Sequence, residues 1–236
     1  MSMAGPPALR QVASSGGAPR WVTDLHPADA LRYRTLVDAV QRPVDLTLPP
    51  GVVANRTTPR GRTVPFTEAA RTWRSLLRAM KAERPGHAAI VADVRRCYRS
   101  IGPGSVAAGL GLAGVRPEHN RAVTAFLDDI RDAGIDGLPI GPAPSAILAN
   151  AVLAIGDRAA LDHGIQILRW VDDVMMIGDA RTVVRAFDAW VAALGGLGMA
   201  PNDAKTQRIA ALGDAAPGLP GPVSTLSGSA CDDAAR

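Results

Sequence analysis

Two adjacent aspartates, Asp172 and Asp173, interrupt an apolar stretch that runs from Ile165 to Ile177. Neighbouring carboxylates repel each other and are costly to bury, so a pair at the turn between two apolar β-type segments usually has a cation nearby. A third aspartate, Asp93, ends another apolar segment. Three carboxylates at strand ends can hold a pair of hard metal ions, and such a pair can drive phosphoryl transfer. The alternative is a solvated turn, but the apolar residues directly after the pair argue against it.

The composition bounds the class of protein. The chain has 236 residues, of which 47% are apolar, as in soluble globular proteins. No apolar run approaches the ~20 residues of a membrane span and the N-terminus lacks a secretory signal, which predicts a cytoplasmic protein with no membrane partner. Because Cys97 and Cys231 are the only cysteines, no disulfide is expected.

The distribution of composition and charge predicts the domain organisation. Residues 1–20 and 213–236 are rich in Gly, Pro, Ser and Ala, which predicts two disordered tails. Residues 1–87 contain 13 Lys and Arg against 6 Asp and Glu, whereas residues 88–236 contain 13 against 16. A basic region at 21–87 beside an acidic region at 88–212 fits a polyanion held near a metal-binding centre, and an ordinary solvated surface is the alternative.

The hydrophobic pattern predicts an α+β domain. Short apolar strands are expected at 88–92 and 205–210, a hairpin at 165–170 and 174–177, and a basic hairpin with Arg56, Arg60 and Arg62 within 52–64. Helices are expected at 29–40, 67–82, 104–112, 117–134, 145–161 and 181–194. This order favours an antiparallel sheet backed by helices.

Three further segments carry chemistry. Tyr98 follows Asp93 by five residues, and a ring beneath a sugar can exclude a 2′-hydroxyl; a core tyrosine is the alternative. The segment from Gly137 to Ser145 includes Pro139, and its Gly and Pro fix a loop whose backbone can approach a flat ligand, with Ser145 capping the next helix. Lys205 before the last strand is a candidate general acid or an ordinary surface lysine.

In this order, the four segments resemble the palm of reverse transcriptases. Asp93 to Tyr98 is similar to the first palm motif, the Gly137 to Ser145 segment to the second, and Trp170 to Asp173 to the aromatic-x-Asp-Asp box. Lys205 falls where the fourth motif carries a lysine. The similarity covers residues 50–210, and the wording of the second motif is closest to bacterial abortive-infection and other defence-type enzymes.

The resemblance implies a right-hand polymerase palm at 88–212 with short fingers at 21–87. It implies an RNA-directed DNA polymerase that adds deoxynucleotides to a primer 3′-hydroxyl on an RNA or DNA template-primer. Asp93 and Asp172 would hold two Mg²⁺ ions, or Mn²⁺ in their place, assisted by Asp173 and the Val94 carbonyl. Lys205 would protonate the leaving pyrophosphate.

The resemblance also implies which residues meet the nucleotide and the template. Tyr98 would be the sugar gate, and Arg62, with Arg56 or Arg60 as alternatives, would clamp the triphosphate. Pro139 and Ser145 would lie beside the nucleotide. The template phosphates would be tracked by three arginines of one predicted helix: Arg71, Arg74 and Arg78.

The chain departs from the family pattern in three places. Ile140 stands where Gln is common, Trp170 where Tyr is common, and no thumb is evident after Ala210, so a protein partner is a candidate source of a thumb. Two alternatives stay open: template-independent DNA synthesis in phage defence, and a non-catalytic palm relic that binds nucleic acid or a protein. A receiver-like signalling domain predicts instead a parallel sheet with an early acidic pair.

Overall fold

A computed structural model describes residues 3–14, 17–83 and 86–212. The strands are β1 (Ala8–Ser14), β2 (Gly17–Asp24), β3 (Ala88–Asp93), β4 (Gln166–Trp170), β5 (Asp173–Gly178) and β6 (Gln207–Ile209). The helices are α1 (Pro27–Asp38), α2 (Gln41–Thr47), α3 (Phe66–Glu83), α4 (Cys97–Ser100), α5 (Pro103–Leu112), α6 (Pro117–Asp132), α7 (Ala143–Leu161) and α8 (Ala180–Gly195). β1 pairs with β2, and the other strands form an antiparallel sheet in the order β4-β5-β3-β6.

The central sheet is covered on both faces. In β3, Ile90 and Ala92 belong to the core built with α5 to α8, whereas Ala89 and Val91 pack with Trp73 of α3. Every residue of β3 is buried, which explains why this strand is a continuous apolar run rather than an alternating one. The predicted α+β class, with an antiparallel sheet backed by helices, is confirmed. The antiparallel pairing also contradicts the receiver-like alternative.

The basic segment forms the predicted hairpin. Thr57 pairs with Thr63 across it, and the Thr58 amide donates to the Arg62 carbonyl at 2.7 Å. Helix α2 is not among the predicted helices, and it contains Pro43, a residue that often ends a helix. Pro43 lies instead in the first turn of α2, where a missing amide proton leaves no hydrogen bond unmade.

The disorder predicted for residues 1–20 is wrong for most of that segment. β1 and β2 pair as antiparallel strands in a register that runs from Ala8 opposite Asp24 to Ser14 opposite Gly17. The hairpin is held to the domain by the Thr23 amide, which donates to the Ile140 carbonyl at 2.7 Å. Composition alone misses such a hairpin, since its anchor lies more than 100 residues away in sequence.

The ends of the chain and the membrane question are settled only in part. The predicted C-terminal tail, 213–236, and Cys231 lie outside the described residues, and Cys97 is a buried free cysteine. Among the helices of the described residues, none combines the length and the apolar character needed to cross a membrane. The division into fingers-like and palm regions stays a prediction.

Candidate active site

The aspartate pair lies at a two-residue β-turn. Trp170 at the end of β4 pairs with Asp173 at the start of β5, so Val171 and Asp172 form the turn between them. Val171 has a φ of 56°, in the left-handed region that a β-branched residue adopts only under strain. The turn therefore keeps its shape because surrounding contacts hold it.

The sheet register brings the third aspartate to this turn. Asp93 is the direct cross-strand partner of Asp173 in the β3–β5 pair. Opposite residues of an antiparallel pair have neighbouring Cβ atoms on the same face, where like charges destabilise each other. Burial, followed by the charges of Asp172 and Asp93, raises the pKa of Asp173 to about 6. Burial and the charge of Asp93 likewise raise the pKa of Asp172.

Both carboxylate oxygens of Asp93 are already hydrogen-bonded. Lys205 Nζ donates to Asp93 Oδ2 at 2.9 Å, and Asn202 Nδ2 donates to Asp93 Oδ1 at 3.0 Å. The Asn202 amide also donates to the Asp93 carbonyl at 2.7 Å, which fixes the loop before β6 beside the end of β3. The bond to Asp93 raises the pKa of Lys205, so its ammonium is charged at neutral pH. Sequence reasoning missed Asn202, whose position three residues before Lys205 was the available signal.

In the described part of the chain, no group of three or more His, Cys, Asp or Glu side chains is arranged to hold a metal ion. At Asp93 the ammonium of Lys205 supplies positive charge beside the carboxylate. The chemistry of the three carboxylates still matches the oxygen ligands that Mg²⁺ and Mn²⁺ prefer. A cation that used all three would share Asp93 with Lys205 or displace it, since each carboxylate oxygen can accept two partners.

Tyr98 lies against the Gly- and Pro-rich loop that precedes α7. The Leu138 amide donates to the Tyr98 carbonyl at 2.8 Å. Gly137 has a φ of 71°, and a Cβ atom there would lie 2.3 Å from the Tyr98 carbonyl oxygen, so this close approach requires glycine. Pro139 is buried and the Tyr98 side chain is half-buried. The structure thus joins the first and second predicted motifs.

Ser145 does not have the predicted place. It lies inside α7, whose N-cap is Pro142, so it does not cap the helix. Its side chain is fully buried, and its Oγ forms a 3.0 Å hydrogen bond with the Tyr33 hydroxyl. The helix starts earlier than expected because Pro144 is tolerated in the first turn, where its missing amide proton costs nothing. The predicted nucleotide contact of Ser145 would require this buried hydroxyl to leave Tyr33.

The predicted triphosphate arginines have different environments. The half-buried Arg56 guanidinium is bound by its own chain, where Nε lies 2.9 Å from Asp45 Oδ1 and Nη1 donates to the Pro49 carbonyl at 3.1 Å. It therefore fixes the base of the basic hairpin, and a ligand role would require these bonds to break. Arg60 and Arg62 are exposed at the tip of the hairpin.

Sequence reasoning also missed a buried polar group behind the turn. Arg169 on β4 forms an ion pair with Asp157 of α7 and donates to Asn150 of the same helix. The available signal was a single arginine in an apolar strand and a single aspartate in an apolar helix, because buried charges occur mostly in pairs.

No protein-family model and no curated protein matches the chain. Solved structures match in fold, among them two of apo telomerase from Candida tropicalis. The one truncated from its C-terminal domain has 13% sequence identity and a TM-score of 0.56 over 89% of this chain and 51% of that chain. The other has 11% identity and a TM-score of 0.58 over 86% and 44%, respectively. The chain thus spans about half the length of these telomerases.

Telomerase is a reverse-transcriptase-type protein. At such low identity the likeness concerns the fold alone.

Proposed function

We propose that this chain is a reverse-transcriptase-type nucleotidyl transferase that adds deoxynucleotides to a primer 3′-hydroxyl on an RNA template. The observation that carries the proposal is the cross-strand pairing of Asp93 with Asp173, beside Asp172, in a fold similar to telomerase. The fold supports the class, and the three carboxylates support the chemistry.

The proposal requires two Mg²⁺ ions, or Mn²⁺, and it rests on the oxygen chemistry of the donors rather than on their present arrangement. Asp93, Asp172 and Asp173 would hold the ions, with the Val94 carbonyl as a further oxygen donor. When bound, such ions activate the primer hydroxyl and neutralise the charge that develops on the leaving pyrophosphate. The raised pKa values of Asp172 and Asp173, caused first by burial and then by the charges of the neighbouring acids, fit this role, because a bound cation offsets both costs.

Lys205 is the candidate proton donor. Its ammonium is charged at neutral pH, because the bond to Asp93 raises its pKa. Its side chain is 62% exposed, so it is free to turn from Asp93 toward an incoming nucleotide. A proton held at Nζ is then available to the leaving pyrophosphate.

The substrate contacts follow from exposure and position. The half-buried ring of Tyr98 would select a deoxyribose, and the exposed Arg62 would meet the triphosphate. The exposed arginines of α3 would track template phosphates, which makes binding dependent on salt; they are Arg71, Arg74 and Arg78.

One observation favours a second function, that of a non-catalytic palm that binds nucleic acid. Both oxygens of Asp93 are occupied by Lys205 and Asn202, so the carboxylate is internally satisfied. A relic of this kind would bind RNA and incorporate no nucleotide.

Labelled deoxynucleotide incorporation by the purified chain in Mg²⁺ separates these functions. The reverse-transcriptase proposal predicts extension of oligo-dT on poly-rA and little product without template. Template-independent product would support the defence-type alternative, and RNA binding without any product would support the relic.

The matched control is an acid outside the site. Asp188→Asn changes an exposed aspartate on α8 and should extend the primer as the wild type does. Asp173→Asn should abolish extension. Equal extension by the two variants would overturn the proposal.

A further inference from the structure

Behind the acidic turn lies a buried arginine that contacts three parts of the protein. The side chains of Arg169 and Asp157 are 1% and 0% exposed. Arg169 Nε donates to Asp157 Oδ2 at 2.8 Å, and Nη1 donates to Asn150 Oδ1 at 2.9 Å. Asn150 and Asp157 are seven residues apart on α7, two helical turns along the same face. The guanidinium is therefore held along the length of α7.

The same guanidinium holds the turn. Arg169 Nη1 donates to the Val171 carbonyl at 2.7 Å, the shortest hydrogen bond that this side chain makes. Val171 is the residue with a φ of 56°. A charge-assisted bond to its carbonyl opposes the relaxation of that strained backbone. Asp172 and Asp173 follow Val171 directly, so the conformation of Val171 sets where both carboxylates point.

A third set of contacts reaches the base of the basic hairpin. The Arg169 amide donates to the Gly51 carbonyl at 2.9 Å, and the Val53 amide donates to the Arg169 carbonyl at 3.2 Å. Asn150 Nδ2 donates to the Ala54 carbonyl at 3.0 Å. The acidic turn, α7 and the segment at 51–54 thus share one hydrogen-bonded group.

The arrangement is a poor one for stability alone. Arg169 Nη2 and Asp157 Oδ1 are buried without a hydrogen-bond partner among the described residues. A buried ion pair is often no more stabilising than apolar side chains of the same volume. A role in fixing the geometry of the turn accounts for its presence.

We infer that Arg169 is a positioning residue that, anchored by Asp157 and Asn150, holds Val171 in its left-handed conformation and so aims Asp172 and Asp173 at Asp93. The role of the aspartates rests on the function proposed above, whereas the hold on the turn stands on the geometry alone. Two measurements therefore distinguish a failure of the proposed hold on the turn from a failure of the proposed function.

The first measurement is a crystal structure of the metal-free variant Arg169→Met/Asp157→Leu. Replacing both members of the pair leaves no unpaired buried charge, so the core is retained. We expect Val171 to relax to negative φ and the two acids to shift. An unchanged turn would overturn the inference, whether or not the wild type incorporates nucleotides.

A second variant covers the case in which that double variant does not fold. Arg169→Lys keeps the charge facing Asp157, but a single ammonium cannot reproduce the planar set of bonds to Asp157, Asn150 and the Val171 carbonyl. It should show the same relaxed turn, and an unchanged turn in Arg169→Lys would equally overturn the inference.

The second measurement asks whether the turn transmits the effect. Mn²⁺ affinity, read from the electron paramagnetic resonance of free Mn²⁺, should fall about 10- to 100-fold in Arg169→Met/Asp157→Leu, as for other residues that orient metal ligands. Adding Val171→Gly should restore most of it, because glycine adopts positive φ without strain. A purely structural role of the pair predicts no rescue, and that result would also overturn the inference.

Discussion

Lys205 Nζ lies 2.9 Å from Asp93 Oδ2, so one of the two lysines in the chain neutralises the aspartate that faces Asp173 across the sheet. The ammonium and a divalent cation therefore compete for the same carboxylate. Without a cation, Lys205 supplies the positive charge beside Asp93. A bound cation would weaken the hold of Asp93 on Lys205.

Removing Lys205 should raise cation affinity and lower catalysis at the same time. The Lys205 side chain is 62% exposed, and exposed ion pairs contribute about 0.2–1 kcal/mol. Lys205→Met should therefore bind Mn²⁺ about 1.4- to 5-fold more tightly. Incorporation should fall, because a proton donor is lost. Lys81→Met, the change of the other lysine, should alter neither quantity. Unchanged Mn²⁺ affinity in Lys205→Met would show that Asp93 is not a ligand.

The pH dependence of stability follows from the raised pKa of Asp173. Its value of about 6 lies above the ordinary 3.8, so the folded state binds more protons than the unfolded state between these values and stability falls as pH rises through them. Asp173→Asn should therefore stabilise the protein, with the gain growing above pH 4 and complete above about pH 6. We expect on the order of 1–3 kcal/mol in chemical denaturation at pH 7.

The pH titration of stability is compared with a control variant and is repeated in the presence of Mg²⁺. Asp188→Asn removes an exposed acid and should leave the pH profile of the wild type in place. Mg²⁺ should stabilise the wild type more than Asp173→Asn, because the cation removes the repulsion that the substitution removes. A stability difference that does not change with pH between 4 and 7 would contradict the raised pKa of Asp173, which burial and the charges of Asp172 and Asp93 cause.

Much of the fold follows from local patterns. The apolar runs at β3 and β4–β5 and the periodic helices are local signals, and they predict the antiparallel sheet. The meeting of Asp93 with Asp173 follows too, because each stands at the end of a strand and antiparallel neighbours bring such ends together.

Other features depend on contacts far apart in sequence. Ser145 resembles a helix cap, and its true partner, Tyr33, lies 112 residues away. The hairpin of β1 and β2 is anchored to Ile140, and its Gly- and Ser-rich sequence resembles a flexible tail. In both cases tertiary packing overrides a local signal that is correct on average.

The Ser145–Tyr33 contact predicts a stability effect without a substrate effect. Ser145→Ala leaves a fully buried hydroxyl of Tyr33 unpaired, which should cost about 1–3 kcal/mol in the free energy of unfolding. The double variant Ser145→Ala/Tyr33→Phe should recover most of that loss, since both polar groups are then gone. KM for the deoxynucleotide should stay as in the wild type; a selective rise in KM would return Ser145 to the nucleotide site.

The glycine at the start of the second motif predicts a steric effect on Tyr98. Gly137→Ala combines positive φ with a Cβ atom 2.3 Å from the Tyr98 carbonyl oxygen, whereas Gly114→Ala has a φ of 68° with nothing within 4 Å. Both substitutions should lower the free energy of unfolding by roughly 1–3 kcal/mol, because alanine is strained at positive φ. Gly137→Ala should lose more, and it should weaken discrimination between deoxy- and ribonucleotides. Equal losses of unfolding free energy in the two variants, with unchanged nucleotide discrimination, would show that the loop does not position Tyr98.

The claim on which the function rests is that Asp93, Asp172 and Asp173 form one cation site. Anomalous diffraction from a crystal soaked in Mn²⁺ tests it most directly. We predict a Mn²⁺ peak in contact with Asp93 and at least one of the other two carboxylates, with the Lys205 ammonium displaced from Asp93. A crystal in which Lys205 stays on Asp93 while Mn²⁺ binds elsewhere, or does not bind, would contradict the claim.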